Sequence, residues 1–329
     1  MKKGKILILG ALALAPLTSM TGCDLKEADI GILQFGAFAA LDNAREGFIQ
    51  ELKDKGHGDW TIDVKNAQAN SANNGTYAAE MAGKHRLNLA IATPSATALK
   101  AEQENIDSKV PLLFTAVTDP VDAGLVKSNA APEGFTTGSS DAIPDEALAA
   151  QISLVKAILP EAKKLGIFYC ASETNSKVQA DLVKPIAIQQ GLEIVEEKCT
   201  SQFDIGAKVL DLASKVDAIW MPTDNIIANS VGEVQTAIGD KKVLLVMGEE
   251  GMVAGGHVSV SIDYFKLGRK TADLAIDILE GNKTVAESPV YIPTIESCSY
   301  VYSSKNLAKA GFDVSSLPKT TTWVDLDAQ

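Results

Sequence analysis

The residue types that do catalytic chemistry are present but not grouped. The histidines, His57, His85 and His257, lie far apart, so a zinc site built on several imidazoles is not indicated. Cys23, Cys170, Cys199 and Cys298 show no Cys-x-x-Cys spacing, which argues against a metal ribbon or a thioredoxin-type pair. There is no glycine fingerprint for a dinucleotide after a strand, no P-loop and no Gly-x-Ser-x-Gly elbow. A catalytic triad is unsupported, and no cofactor or metal is expected.

What recurs is polar, helix-capping sequence just after apolar runs. In the first half these loops hold Gln34 to Phe38, Asn66 to Asn73, Thr93-Pro94-Ser95-Ala96-Thr97 and Thr118-Asp119. In the second half they hold Ser172-Glu173, Asn175-Ser176, Asp224-Asn225 and Glu249-Glu250. Thr is a good N-cap and Pro suits the first helical position, so the amides of Ser95, Ala96 and Thr97 are expected to be free at a helix start. Such a terminus attracts an anion, for instance a ligand carboxylate. Asn175 would serve the next lobe in the same way. Asp119, Glu173, Asp224, Glu249 and Glu250 are candidate partners for a ligand ammonium, because a buried cation needs a paired carboxylate. Phe35, Phe38, Tyr169, Met221 and Tyr264 are placed to line an apolar pocket. For each residue taken singly, capping, a solvated charge or core packing is the open alternative.

The elements that must position these loops alternate short apolar strands with amphipathic helices. Strands are expected at Ile30–Phe35, Thr61–Asn66, Leu87–Ala92 and Pro111–Val117, then at Leu165–Tyr169, Glu193–Glu197, Ala218–Met221 and Val243–Met247. Helices are expected between them, among them Gly75–Arg86, Ser95–Glu104, Asp145–Leu159 and Ile226–Ile238. The series predicts an α/β fold of two Rossmann-like lobes with parallel sheets. In such sheets ligands bind beyond the carboxyl ends of the strands. Extended segments near residues 138, 260 and 290 are the natural crossings, a three-segment hinge. The division expected is 23–139 plus about 263–287 for one lobe and 140–262 plus about 288–329 for the other.

The chain has 329 residues, 30 Lys+Arg against 42 Asp+Glu and a formal net charge of −12, with 5% aromatics. The charge argues against nucleic-acid binding, which needs a cationic face. Lys2, Lys3 and Lys5 precede an apolar run, Ile6 to Leu17, too short to cross a bilayer, which reads as an export signal. The run ends Leu17-Thr18-Ser19-Met20-Thr21-Gly22-Cys23, which resembles a bacterial lipobox. That resemblance implies a signal peptide over 1–22, cleavage before Cys23 and a lipid on it. Loss of the three lysines would take the formal charge to −15. The protein is then expected outside the cytoplasm, lipid-anchored to the cell membrane. Cys170 and Cys199 each end an expected strand; a disulfide between them and separate buried thiols are both open.

Several stretches together carry a family likeness. They include Ala40-Leu41-Asp42-Asn43-Ala44-Arg45-Glu46-Gly47-Phe48, Ala92-Thr93-Pro94-Ser95-Ala96, Phe114-Thr115-Ala116-Val117-Thr118-Asp119-Pro120, Ser172-Glu173-Thr174-Asn175-Ser176, Thr223-Asp224-Asn225 and Ile262-Asp263-Tyr264. The chain resembles the type I periplasmic-binding-protein fold, and within it the solute-binding lipoproteins of ABC transporters grouped with tryptophan-binding (TrpX-like) proteins. The resemblance implies a non-enzymatic receptor that captures a small amino acid, often aromatic, between closing lobes and delivers it to an ABC permease and its ATPase. Family members commonly carry a Glu-His-Pro-like segment after the first strand; here it reads Phe35-Gly36-Ala37-Phe38-Ala39. On this reading the Ser95–Thr97 amides and Asn175 hold a carboxylate. Asp119, Glu173 or Asp224 holds the ammonium, and Phe35, Phe38 and Tyr264 flank the side chain. A sugar or nucleoside receptor, a sensor or adhesin of the same fold, and an exported hydrolase are the rival readings.

Overall fold

The computed structural model describes residues 28–319 and 321–328. The expected signal peptide over 1–22 and the anchor Cys23 lie outside the described residues.

In chain order the first elements are β1 (Ile30–Gln34), α1 (Ala39–Asp54), β2 (Ile62–Asn66), α2 (Ser71–Met81), β3 (Leu87–Ile91), α3 (Thr93–Glu104), β4 (Leu112–Val117) and β5 (Thr136–Ser140). The five strands form one parallel sheet in the order β2-β1-β3-β4-β5. β1, β3 and β4 are buried throughout, as strands covered on both faces by helices must be. One face packs Ile30, Ile32, Leu87 and Leu89 under Phe48 and Leu52 of α1; the other packs Leu33, Ala90 and Phe114 under Met81 and Leu99.

The second series is α4 (Asp145–Ile158), β6 (Lys164–Cys170), α5 (Thr174–Gln189), β7 (Glu193–Cys199), α6 (Ile205–Ala213), β8 (Ala218–Met221), α7 (Asn225–Ala228), α8 (Val231–Ile238), β9 (Leu244–Met247) and β10 (Val258–Ile262). After it come α9 (Tyr264–Leu279), β11 (Cys298–Tyr302), α10 (Ser304–Lys309) and β12 (Trp323–Asp325). These strands form a seven-stranded sheet, β12-β11-β10-β9-β8-β6-β7, with one antiparallel pairing, β10 with β11. The α/β, two-lobed expectation is therefore what the chain adopts.

The chain leaves the first sheet after Ser140, returns from β10 into α9, and leaves again near Tyr291, which makes a lone bridge to Ser139. Val290 still packs with Leu33 and Phe114, beyond the end expected near residue 287. Helix α9 closes the first lobe: Ala272, Ala275 and Ile276 pack against α1. The two helices touch backbone to backbone. A Cβ on Gly268 would overlap the carbonyl oxygen of Ala44, and one on Gly47 that of Phe265. Arg269 ties the same contact by pairing with Glu51 and, at 2.7 Å, with Asp54.

Several boundaries differ from expectation for physical reasons. Helix α2 spans 71–81 rather than 75–86. Asn70 caps it by accepting the Asn73 amide at 3.0 Å, and the chain turns at Gly83, whose φ is +71°. Helix α3 begins at Thr93, not Ser95; Pro94 sits in its first turn and Ala92 precedes it at φ +80°. The expected helix over 226–238 breaks at Asn229 and Ser230 into α7 and α8. β11, α10 and β12 were not expected at all. β11 reads Cys-Ser-Tyr-Val-Tyr, with weak apolar alternation, and gains its order by pairing with β10.

Gly268→Ala is expected to cost about 1–3 kcal/mol, because the overlap is with backbone that cannot rotate away. Thermal unfolding checks this: the melting temperature falls by several degrees, and an unchanged value contradicts the close contact.

Candidate functional site

The loops after β1, β2, β3 and β4 all leave the carboxyl end of the first sheet. Among the described residues five non-glycine residues have positive φ, and four of them, Gln68, Ala69, Ala92 and Ala116, lie at this edge. Such conformations are unfavourable for residues with a Cβ and persist where the surroundings impose them, commonly at binding sites.

Most of the residues expected in the first lobe are committed to holding these loops. Gln34 is fully buried; it donates to the Gly36 carbonyl (2.6 Å) and Asp42 (2.8 Å) and accepts from Arg45. The Ser95 hydroxyl donates to Asn74 at 2.8 Å, and Asn74 returns a bond to the Pro94 carbonyl. The Ala96 amide, expected to be free, donates to the Ala92 carbonyl, because the helix starts earlier than the Thr-Pro pair suggests. The Thr97 hydroxyl folds back on Thr93. Asp119 accepts from the amides of Val121 and Asp122, a local turn cap. Phe35 and Phe38 pack, partly buried, against the first lobe's core.

In the second lobe, Asp224 is fully buried with both oxygens taken. One accepts from the Ile226 and Ile227 amides, the other from the Cys170 amide at 2.8 Å. It joins β6 to the start of α7. Asn175 and Ser176 both donate to the Thr223 carbonyl, and Gln179 accepts the Thr223 amide. Glu173 accepts from Asn225 at 3.2 Å; burial, and to a lesser degree Asp224, raises its pKa. Ser172 is exposed, 3.3 Å from Cys170. Cys170 and Cys199 are register partners across β6 and β7, and both are free, buried thiols.

Between the lobes lies a cavity of about 20 Å3, lined among others by Thr118, Asp141, Asn175, Thr223, Glu249 and Tyr264. That volume admits about one water, although Thr118 at its edge is exposed and Asp141, Glu249 and Tyr264 are half-buried. Four expected residues, Thr118, Asn175, Glu249 and Tyr264, meet here. Gln34, Phe35, Phe38, Thr93, Ser95, Ala96, Thr97, Asp119, Ser172, Glu173, Ser176, Asp224 and Asn225 do not line it.

Asp141 is the residue that sequence reasoning missed. It follows β5 directly, at the first crossing between lobes, and that position was its signal. It accepts the Thr118 hydroxyl at 2.9 Å and the Tyr264 hydroxyl at 2.9 Å. Burial raises its pKa. Glu249 faces it from the end of β9. Burial, and then the charges of Asp141 and Asp224, push Glu249 up to about 7. Among the described residues no Lys or Arg lines this cavity or pairs with either carboxylate. A larger cavity, about 320 Å3, lies on the outer face beside α9, but its Lys266, Arg269 and Lys270 already pair with neighbouring carboxylates.

Two half-buried carboxylates without a cation have the chemistry to accept an ammonium group, and hydroxyls fix the orientation of one of them. Among the described residues no group of His, Cys, Asp and Glu has metal-holding geometry, and no helix is long and apolar enough to cross a membrane. The charge on Glu249 opposes folding above its raised pKa, and protonation relieves it as pH falls through 7 toward the unfolded value of about 4.3. Glu249→Gln is therefore expected to raise the melting temperature by a few degrees at pH 8 and to leave it nearly unchanged at pH 5. Equal shifts at both pH values contradict the buried-charge account.

The family model for ABC transporter substrate-binding proteins matches residues 29–311. A tyrosine-binding protein of Clostridioides difficile (strain R20291) is 36% identical over 310 residues, 88% of each chain. The ligand-free, open structure of a substrate-binding protein with adhesive properties from Clostridium difficile is 33% identical, with a TM-score of 0.75 over 91% of this chain and 99% of that one. A Streptococcus pneumonia ABC domain in complex with L-Trp is 32% identical, with a TM-score of 0.73 over 89% and 96%. These neighbours share the type I periplasmic-binding-protein fold, as do sugar-transporter subunits near 16% identity, which show the fold alone. The chain belongs to the ABC transporter substrate-binding protein family.

Proposed function

We propose that this protein is an extracytoplasmic, lipid-anchored receptor that captures an L-amino acid with an aromatic side chain and passes it, unaltered, to an ABC permease and its ATPase. The observation that carries the reading is the cation-free pair Asp141 and Glu249 between the lobes. A sugar or nucleoside offers no cation to such a pair, whereas every free amino acid does. The tyrosine-binding and L-Trp-bound relatives support an aromatic side chain.

In this account Asp141 and Glu249 hold the ammonium. The carboxylate falls to the start of α3, where the Ser95 hydroxyl is spent on Asn74 and the backbone at the positive end of the helix is what is offered. Asn175 closes over it from the second lobe. Phe35 and Phe38 border the side chain, and Tyr264 serves by orienting Asp141. The lobes turn about crossings near Asp141, Asp263 and Tyr291 to admit and enclose the ligand. Cys23 carries the anchor.

Calorimetry with ligand-stripped protein tests the ligand class. L-tyrosine or L-tryptophan binds, and the matching acids lacking the amine do not. Asp141→Asn weakens binding by roughly 10- to 100-fold, the range for a charged hydrogen bond. Binding of a sugar with no response to any amino acid contradicts the reading. Cys23→Ser is expected to release the protein from the membrane fraction of expressing cells; continued membrane association contradicts the anchor.

A further inference from the structure

The carboxylates of the cleft come from opposite lobes. Asp141 ends β5 of the first sheet and is fixed by two hydroxyl donors of that lobe, Thr118 and Tyr264. Glu249 follows β9 of the second sheet, and its carboxylate has no hydrogen-bond or ion-pair partner among the described residues. The free carboxylate and the fixed one line the same space of about 20 Å3.

The groups facing Glu249 are all acidic or neutral. Asp141 approaches from β5, Asp224 from the start of α7, and the Tyr264 phenol from α9. Glu173 stands behind Asp224. Lys266, the cation that acts on neighbouring Glu250, is held by Asp263 at 2.8 Å and does not act on Glu249. Two carboxylates that share one small, half-buried space raise each other's affinity for a proton. One of them takes a proton unless a cation enters. The Asp141 oxygens already accept two hydroxyl protons, so the proton falls to Glu249.

We propose that the ligand-free cleft holds a proton on Glu249 and that the ligand's ammonium takes its place, so that capture of one amino acid releases one proton to solvent. The Glu249 O–H bond breaks, its proton passes to water or buffer, and the ammonium keeps all three of its own hydrogens. The proposal rests on the amino acid reading above and adds a regulation to that site. The proton and the ligand compete, so acid conditions empty the receptor and neutral conditions fill it.

The sign follows from linkage. Burial pushes Glu249 up to about 7 in the ligand-free form, and an adjacent ammonium lowers it again. Affinity is then flat above neutral pH and falls by about tenfold per pH unit below it. Close to one proton is released per ligand at pH 6, and almost none at pH 8.

The test is titration calorimetry of the wild-type protein with L-tryptophan, and with L-tyrosine, in phosphate and in Tris. These buffers differ widely in their heat of protonation. At pH 6 the binding heats are expected to differ between buffers by an amount corresponding to nearly one proton. At pH 8 they are expected to agree. Glu249→Gln is expected to bind more weakly, with no buffer dependence at pH 6 and no loss of affinity between pH 8 and pH 6. Binding to the wild type with identical heats in both buffers at pH 6 overturns the exchange while leaving the amino acid reading intact. No heat with either amino acid at either pH overturns that reading and the exchange with it.

Discussion

The structure turns on two carboxylates, Asp141 and Glu249, that share the space between the lobes without a cation. Asp141 and Glu249 belong to different lobes, and closing the cleft takes both from water. Closure by itself is opposed by desolvation and by repulsion between them. A ligand cation removes both penalties at once, and only in the shut form. That is the differential interaction a ligand needs in order to shift an opening equilibrium. A neutral solute leaves the proton on Glu249 and gains no such attraction. Capture and closure are one event because the charges sit on opposite sides of the hinge.

The remainder of the fold holds that pair in place. Thr118 and Tyr264 fix the Asp141 carboxylate, so little orientational freedom remains to be lost on binding. Tyr264 opens α9, and α9 is locked to α1 through the backbone contacts at Gly47 and Gly268. The second crossing between lobes is thus anchored in the first lobe's core. Opposite it, Asp224 joins β6 to α7 and Thr223 gathers Asn175, Ser176 and Gln179, which makes the second rim a bonded unit. The left-handed residues Ala92 and Ala116 show the first lobe's loops bent into place at some energetic expense.

The sequence made the architecture legible because strand and helix periods differ and each βα unit repeats that difference. It also marked the correct edge of each sheet, since capped loops follow parallel strands at their carboxyl ends. Inside those loops it could not separate side chains that hold the loop from side chains that face the cleft. Ser95, Asp119 and Asp224 have the same composition signal as a ligand contact, yet each is spent on backbone or a neighbouring side chain. Asp141 escaped notice for the opposite reason. It stands outside any capping motif, and its importance comes from a tertiary meeting with Tyr264, far away along the chain. The tail was missed because β11 is ordered by its partner strand rather than by its own pattern.

The most direct measurement is a crystal structure of the protein with L-tyrosine or L-tryptophan bound. The account predicts a shut cleft with the ligand ammonium within about 3 Å of both the Asp141 and Glu249 carboxylates. An ammonium directed at Asp119, Glu173 or solvent, with Asp141 and Glu249 facing no cation, would contradict it.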